Sequence, residues 1–174
     1  MKKYFKITIV LLFVVSLVLV TGCDKEREEL SFKGKEGSIV FNVHKDGEYK
    51  ISTDKNDFRT SREQGLIIGK NFKIGIEFDD TFDYFFKSDF SKLKEKRKDY
   101  DDYKEIKYSD IDGIQYFYGG YMRYEVVLPI KGAKEHVLVL TVYGNGDNEQ
   151  AAKEAIKNEE VQDILNHIVS IEAD

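Results

Sequence analysis

Apolar and polar positions alternate along much of the chain, and this alternation predicts β-strands. Between residues 72 and 78 (FKIGIEF) every second side chain is large and apolar, and those between are polar or small. A period of two places successive side chains on opposite faces, so this segment predicts a sheet with one buried and one wet face. Runs rich in β-branched and aromatic residues predict further strands at residues 38–43, 48–52, 66–68, 103–108, 114–118, 122–128 and 136–143.

Turn-forming residues separate these strands. Asp46-Gly47 favours a tight hairpin between residues 38–43 and 48–52, and Asp112-Gly113 favours a second one further along the chain. Lys131-Gly132 precedes residues 136–143 (HVLVLTVY), a run that is almost wholly apolar. A strand without polar alternation is typical of the interior of a sheet, so we expect this run to be central.

Two segments have the helical period of 3.6 residues instead. One apolar stripe comprises Phe82, Phe85, Phe86, Phe90 and Leu93, and its helix would end in a basic turn at residues 94–98. A second, stronger stripe comprises Val161, Ile164, Leu165, Ile168 and Val169. Between the sheet and this second helix, residues 151–156 suit a short helix for which Asp147 is the expected N-cap.

These elements predict a single α+β domain over residues 38–174. It would contain an antiparallel sheet of about six to eight strands, a mid-chain helix and a C-terminal amphipathic helix. The order of the elements resembles that of the Mog1/PsbP-like sandwiches, some of whose bacterial members are lipoproteins. No sequence motif carries this resemblance, and a shared fold would not transfer a function.

The first 23 residues have the features of an export signal. Lys2, Lys3 and Lys6 precede 14 largely apolar residues at positions 7–20, too few for a spanning helix and typical of a signal-peptide core. Val20-Thr21-Gly22-Cys23 then resembles the lipobox of bacterial lipoproteins. The resemblance implies cleavage after residue 22 and acylation of Cys23, with palmitate among the acyl chains. The alternative is a coincidental cysteine after an ordinary signal or uncleaved anchor.

The expected lipoprotein would face outside the cytoplasm and bind the cell membrane through acylated Cys23. Two or more acyl chains give stable attachment to a bilayer. Residues 24–37 are densely charged, and together with Cys23 we interpret 23–37 as a flexible tether, with a short helix as the alternative.

Charge limits the partners of the mature chain. The whole chain has 27 basic and 32 acidic residues, and loss of the three leader lysines leaves 24 against 32, a formal charge near −8. This charge disfavours nucleic acid, because binding to phosphates depends on Lys and Arg. It also means that lipid rather than charge must hold the protein on an anionic membrane.

The familiar catalytic and cofactor motifs are missing from the sequence, so we predict no cofactor, metal site or catalytic residue. The single cysteine is assigned to lipid, and no serine lies in a nucleophile motif. His44, His136 and His167 lack metal-ligand spacing and a recognisable acidic partner. The Asp- and Asn-rich segments 54–57, 110–113 and 145–149 do not match a calcium loop and are interpreted as turns.

One local cluster suggests ligand binding. Residues 116–124 (YFYGGYMRY) place five aromatic side chains and an arginine around a double glycine. Tyrosines beside an arginine can stack on a sugar or grip a peptide, since each combines a large apolar body with a polar tip. The candidate ligand-binding residues are Tyr116, Tyr118, Tyr121, Arg123 and Tyr124. The alternative is a hairpin that cross-strand aromatic pairs stabilise without any ligand.

These patterns favour a membrane-anchored extracytoplasmic lipoprotein whose domain is a binding or accessory module of the cell envelope. Its partner would be an envelope protein or glycan. Two alternatives stay open, namely an envelope hydrolase with a site assembled from distant residues, and a structural lipoprotein without a ligand. The sequence alone leaves enzymatic activity undecided, with the missing motifs weighing against it.

Overall fold

The computed structural model describes residues 26–34, 36–79, 90–133 and 136–173. Within these ranges the chain forms two antiparallel sheets and three helices, which confirms the predicted α+β fold. The strands are β1 (Arg27–Lys33), β2 (Gly37–His44), β3 (Lys50–Ser52), β4 (Gly65–Ile68), β5 (Phe72–Asp79), β6 (Lys104–Tyr108), β7 (Ile111–Tyr118), β8 (Arg123–Pro129), β9 (Val137–Gly144) and β10 (Ile168–Ala173). The helices are α1 (Phe90–Arg97), α2 (Glu149–Ala155) and α3 (Glu159–Asn166).

The larger sheet has seven strands in the order β3-β4-β5-β9-β8-β7-β6, and the smaller has three in the order β1-β2-β10. β9 is the fourth of the seven strands, and it pairs along its whole length with β5 and over residues 137–143 with β8. The prediction that the apolar run 136–143 forms a central strand is therefore confirmed.

The two faces of the seven-stranded sheet differ in chemistry. On one, which we call the apolar face, Ile74, Leu140 and Val126 pack against residues of β2, α2 and α3 in the main hydrophobic core. On the other, the polar face, register places Thr141 between Gly75 and Glu125. The polar face is not the wet surface that alternation predicts, because Thr141 and Glu125 are both buried.

The predicted tether is wrong for residues 27–33, which form β1. All seven residues of this strand pair with β2, and the ring of Phe32 is 4% exposed. The charged residues of β1 surround only two large apolar side chains, so its composition suggests a solvated segment. Pairing of its backbone with an edge of β2 nevertheless makes it a strand, because ladder hydrogen bonds do not depend on side-chain polarity.

The predicted C-terminal helix is correct up to Asn166 and wrong beyond it. α3 buries Val161, Ile164 and Leu165 as the pattern predicts, whereas Ile168 begins β10 and pairs with β2. A buried residue at this position satisfies both a helical and a strand pattern, so the period alone does not find the boundary. The other edge of β2 provides the backbone partners that favour the strand.

Two predicted hairpin turns are also wrong in their role or position, although the chain does turn at residues 44–47, where Gly47 N–H donates to His44 O at 3.1 Å. β2 pairs with β1 and β10, so Asp46-Gly47 lies on a connection to the other sheet instead of closing a hairpin with β3. Asp112-Gly113 lies within β7, and the turn before it is Ser109-Asp110, with Ser109 at a φ of 53°.

The helices follow the predicted positions with one change of cap. The side chain of Asn148, and not that of Asp147, accepts the hydrogen bond from Ala151 N at the start of α2. α1 buries Leu93 and has the expected basic last turn, while the first three phenylalanines of its predicted stripe lie outside the described residues. None of the three helices in the described ranges is long and apolar enough to cross a bilayer.

Candidate functional site

The candidate site is on the polar face, where register aligns side chains across strands that are distant in sequence. Tyr116, Glu125 and Thr141 are successive partners across β7, β8 and β9. In the adjacent row, Tyr118, Arg123 and Tyr143 are partners across the same strands. Directly opposite residues on one face have Cβ atoms about 5 Å apart, so each row is a line of contacting side chains.

Glu125 is the anionic centre of these rows. Its Oε1 accepts hydrogen bonds from Arg123 Nε at 3.1 Å and Nη2 at 2.7 Å, and its Oε2 accepts one from the Tyr116 hydroxyl. Burial, and then the charge of Glu125, raise the pKa of Tyr116, so this hydroxyl remains a donor at neutral pH. Arg123 Nη1 is also buried but has no hydrogen-bond partner within the described ranges.

Six side chains extend this centre into a layer that we call the aromatic–arginine cluster: Arg97, Tyr100, Tyr116, Tyr118, Tyr121 and Arg123. The guanidinium of Arg97 lies 4.9 Å from the ring centroid of Tyr100 and 5.5 Å from that of Tyr116. Its Nη1 donates to the Tyr100 hydroxyl at 2.8 Å. These contacts connect the end of α1 to the sheet and fix several tyrosine rings in place.

The cluster reaches solvent at Tyr121. The Arg123 guanidinium lies 4.8 Å from the ring centroid of Tyr118 and 4.4 Å from that of Tyr121. Tyr121 is nevertheless 59% exposed, in a short 3-10 turn between β7 and β8. Met122 ends that turn in the left-handed region at a φ of 47°, which is uncommon for a residue other than glycine. The Tyr121 ring is therefore at the surface, and its contacts with Arg123 and Tyr118 fix its orientation.

A cleft of about 510 Å³ opens beside Tyr121 and is lined by Arg59, Gly120, Tyr121, Met122, Tyr143 and Asp147. The Arg59 guanidinium forms an ion pair with Asp147 and lies 5.1 Å from the ring centroid of Tyr143. Arg59 belongs to the loop before β4, and Asp147 follows β9. The cleft thus combines two loops with the turn at Tyr121.

Glu63 is buried and contacts two of the residues that line the cleft, Arg59 and Tyr143. Its Oε1 accepts a hydrogen bond from the Tyr143 hydroxyl at 2.7 Å, and its Oε2 accepts one from the Arg59 backbone N–H at 2.8 Å. A Cβ atom on Gly75 would lie 2.6 Å from Glu63 Oε1, so only glycine at position 75 leaves room for this carboxylate. Burial, and then the hydrogen bond to Glu63, raise the pKa of Tyr143.

A second acidic feature of the polar face is Glu77 on β5. Burial, together with the nearby Asp79, raises the pKa of Glu77 to about 7 despite the opposing effect of Arg62. This carboxyl group therefore changes protonation near neutral pH. It is not among the residues that line the described clefts.

The predicted ligand-binding residues separate into three groups in the structure. Tyr118, Tyr121 and Arg123 lie together at the cleft end of the polar face. Tyr116 is on the same face but fully buried. Tyr124 is on the apolar face, where it packs against Phe117 and donates to Asp102 Oδ2 at 2.5 Å, so it belongs to the core. Cys23 lies outside the described residues.

The sequence analysis missed Arg59, Glu63 and Asp147. Arg59 and Asp147 are 88 residues apart, and Glu63 and Tyr143 are 80 residues apart. No local period or motif connects residues at such distances. The pairing of β4 with β5 and of β5 with β9 brings them together at this end of the sheet.

The sequence analysis also missed the acidic partner of two histidines. Asp163 Oδ1 lies 2.7 Å from Arg27 Nη2, 3.5 Å from His44 Nε2 and 3.2 Å from His167 Nδ1. The spacing of Asp163 and His167 on a helix is i, i+4, a signal that could have found this pair. The contacts join β1, β2 and the end of α3, which is a structural role.

Metal binding has no candidate in the described ranges, where no group of three or more His, Cys, Asp or Glu side chains could hold an ion. The Asp-rich segment 54–57 has turn contacts, since Asp54 Oδ1 accepts from the backbone and side-chain nitrogens of Asn56, each at 2.9 Å.

The scan of family models, the search of curated proteins and the search of solved structures each found no match to this chain.

Proposed function

We propose that this protein is a membrane-anchored extracytoplasmic lipoprotein whose folded domain is a binding module of the cell envelope. The anchor rests on the sequence, where Lys2, Lys3 and Lys6, the apolar run 7–20 and Val20-Thr21-Gly22-Cys23 occur in the order of a lipoprotein signal. β1 begins at Arg27, so few residues separate Cys23 from the folded domain. The domain is then held close to the bilayer surface.

The observation that carries the binding role is the cleft beside Tyr121. Pockets that bind small ligands occupy about 300–1,000 Å³ and combine an apolar surface with a few polar groups. The cleft has a volume of about 510 Å³, a 59% exposed tyrosine ring and the paired charges of Arg59 and Asp147. Large side chains that stay exposed and oriented are typical of recognition sites, because they lose little conformational entropy on binding.

The anchor is tested by metabolic labelling of the full chain with palmitate. We expect the label on the wild type and none on Cys23→Ser, because position 23 is the only cysteine. A matched control is Thr21→Ser, which keeps a small residue in the lipobox and should stay labelled. An unlabelled wild type with an intact Met1 by mass spectrometry would contradict the proposal.

The binding role is tested by capture of envelope material on the immobilised full-length protein. We expect Tyr121→Ala to lose captured material that Val169→Ala retains. Val169 is the matched control because it is similarly exposed, at 56%, and lies on β10 outside the cleft lining. Equal capture by both variants and the wild type would contradict a binding role for this cleft and would favour a structural lipoprotein without a ligand.

An envelope hydrolase is the second candidate, and Glu77 is the observation that favours it. A carboxyl group with a pKa of about 7 beside a second carboxylate is suited to general acid catalysis. Release of soluble fragments from purified envelope material that Glu77→Gln abolishes would favour the hydrolase over the binding module.

A further inference from the structure

We infer that the cleft beside Tyr121 binds a neutral saccharide. This inference deepens the proposed function and rests on it, since it names the ligand class of the same cleft. The cleft provides an exposed aromatic ring, hydrogen-bonding groups next to that ring, and no unpaired backbone edge for a peptide. The first two features suit a sugar, and the third disfavours an extended peptide.

The ring of Tyr121 is suited to stack on a sugar. A pyranose has faces of C–H groups and a rim of hydroxyls, so it pairs with an aromatic face that is bordered by polar groups. The inner contacts of Tyr121 are to Arg123 and Tyr118, whose ring centroid is 6.5 Å away at an interplanar angle of 24°. The stack below fixes the orientation of the ring before a ligand arrives, which reduces the entropic cost of binding.

Arg59 and Asp147 provide the partners for hydroxyl groups. A guanidinium only donates hydrogen bonds and a carboxylate only accepts them, whereas a hydroxyl does both. Neighbouring hydroxyls on one sugar ring can therefore bind both members of this ion pair. Arg59 is fixed by the ring of Tyr143 and by its backbone bond to Glu63, while the side chain of Asp147 is 83% exposed and accessible to a ligand.

The charges in the cleft favour a neutral ligand over an anionic one. The two charged residues that line it, Arg59 and Asp147, are of opposite sign and are paired with each other. The next cation inward, Arg123, is paired with Glu125. An anionic sugar would have to displace one of these carboxylates, and the chain as a whole has a formal charge of −5.

The position of the cleft in the sheet disfavours an extended peptide. Peptides that bind to sheets add a strand to an open edge, where backbone N–H and C=O groups are unpaired. The cleft adjoins β8 and β9, and each of these strands is paired on both sides, β8 with β7 and β9, and β9 with β5 and β8. A ligand in this cleft must therefore be bound by side chains, and the hydroxyl groups of a sugar can form hydrogen bonds with them.

The direct test is a titration of the full-length protein, in a detergent without a sugar headgroup, with oligomers of N-acetylglucosamine and of glucose. Saturation-transfer NMR would detect binding and give the dissociation constant. We expect binding of at least one of these neutral series by the wild type. Tyr121→Ala should weaken it at least about tenfold, whereas Tyr121→Phe, which keeps the ring, should change it less than about threefold.

Two further variants complete the test. Arg59→Met keeps an unbranched side chain but removes the donors, and we expect it to weaken binding about tenfold or more. Val169→Ala should bind as the wild type does, and the unfolding midpoint of each variant reports whether it is folded. No binding of either sugar series at millimolar concentration, or binding that Tyr121→Ala leaves unchanged, would overturn the inference.

The envelope capture distinguishes failure of this inference from failure of the proposed function. If Tyr121-dependent capture survives protease digestion of the envelope fraction and sugars are recovered from the captured material, both stand. If protease digestion abolishes the capture, the cleft binds a protein, and the saccharide inference fails while the binding module remains. If no capture depends on Tyr121, both fail.

Discussion

The two faces of the seven-stranded sheet have the same strands and registers but opposite chemistry. The apolar face is covered by β2, α2 and α3 and is filled mainly by aliphatic and phenylalanine side chains, together with Tyr108 and Tyr124. The polar face has a much smaller hydrophobic cluster around Leu93 and Tyr116, beside buried charges at Glu125 and Glu63. Burial of apolar area stabilises a fold, whereas buried charges contribute little net stability or reduce it.

This difference separates the sources of stability and of recognition in the molecule. Residues of the apolar face are expected to control whether the chain folds, and residues of the polar face to control how Tyr121 and Arg59 are positioned. Variants that change stability without changing binding at the cleft, or the reverse, would support this separation of the two faces. Variants that change stability and binding equally would contradict it.

The largest effect is expected from Leu140→Ala on the apolar face. Leu140 is fully buried at the centre of β9, and its truncation would leave a cavity between the sheet and the elements that cover it. We expect the free energy of unfolding to fall by about 4 kcal/mol, measured by urea denaturation. Saccharide or envelope binding by the fraction that remains folded should be unchanged. A loss below about 1 kcal/mol would contradict the role of this face.

Removal of one partner from the ion pair on the polar face should have the next largest effect. Glu125→Ala leaves the buried guanidinium of Arg123 without its anion and the Tyr116 hydroxyl without its acceptor. We expect a loss of about 3 kcal/mol in the free energy of unfolding, because an unpaired buried charge is costly.

The matched control for Glu125→Ala replaces both charges, in the double variant Arg123→Met, Glu125→Leu. Apolar side chains of similar size can substitute for a buried pair at little cost. We expect this variant to recover most of the lost stability while Tyr121-dependent binding stays reduced, since the Tyr121 ring then loses its contact with the Arg123 guanidinium and retains only the Tyr118 ring among its described ring and cation contacts. Full recovery of both properties would show that the pair does not position the site.

A smaller effect is expected from Tyr143→Phe, which removes the hydroxyl donor of Glu63. Glu63 is 5% exposed and would retain the Arg59 backbone N–H as its one hydrogen-bond partner among the described residues. We expect the free energy of unfolding to fall by about 2 kcal/mol, since hydrogen bonds to charged groups are worth about 1.5–3 kcal/mol. Tyr118→Phe is the control on the same face, because Tyr118 is only partly buried. Equal losses in both variants would indicate that the Glu63 contact contributes nothing specific.

The sequence predicted those parts of the fold whose signal is local. Alternation found β5, the apolar run found β9, and the helical period found α3. β1 and β10 were misassigned because they are strands through their pairing with β2. The pattern of apolar and polar residues within 27–33 and 168–173 does not reveal this pairing. Tertiary pairing overrides local pattern at such edges.

The residues of the candidate site likewise include some that are close in sequence and could be predicted, and others that only long-range pairing brings together. Tyr118, Tyr121 and Arg123 could be predicted because they occur within six residues around a tight turn. Strand alternation puts Tyr116 and Tyr118 on one face of β7 and Phe117 on the other, and the structure has this arrangement. Burial of Tyr116 could not be predicted, because it depends on Arg97 and Tyr100 at the end of α1. The opposite wall of the cleft, formed by Arg59 and Asp147, depends on long-range topology.

The smallest effect concerns the pH dependence of stability through Glu77. The pKa of Glu77 is about 7 in the folded chain against an ordinary value of 4.5, so the folded state holds its proton more tightly than the unfolded state does. The protonated form contributes stability that is complete below about pH 4.5 and is lost as the pH rises through 7. Glu77→Gln cannot ionise and should therefore become the more stable protein at high pH.

We expect the two proteins to unfold with similar free energies at pH 5 and Glu77→Gln to be more stable by about 1–2 kcal/mol at pH 8, where solvent screening of this partly exposed group limits the gain. Urea denaturation at both values measures the difference. The exposed Glu48 provides a control, because Glu48→Gln should change stability little at either pH. If the difference in unfolding free energy between wild type and Glu77→Gln were the same from pH 5 to pH 8, the polar face would not raise the pKa of Glu77. The effect of Leu140→Ala on the apolar face is expected to be the same at both pH values. The two faces would then not differ in the pH dependence of their contribution to stability.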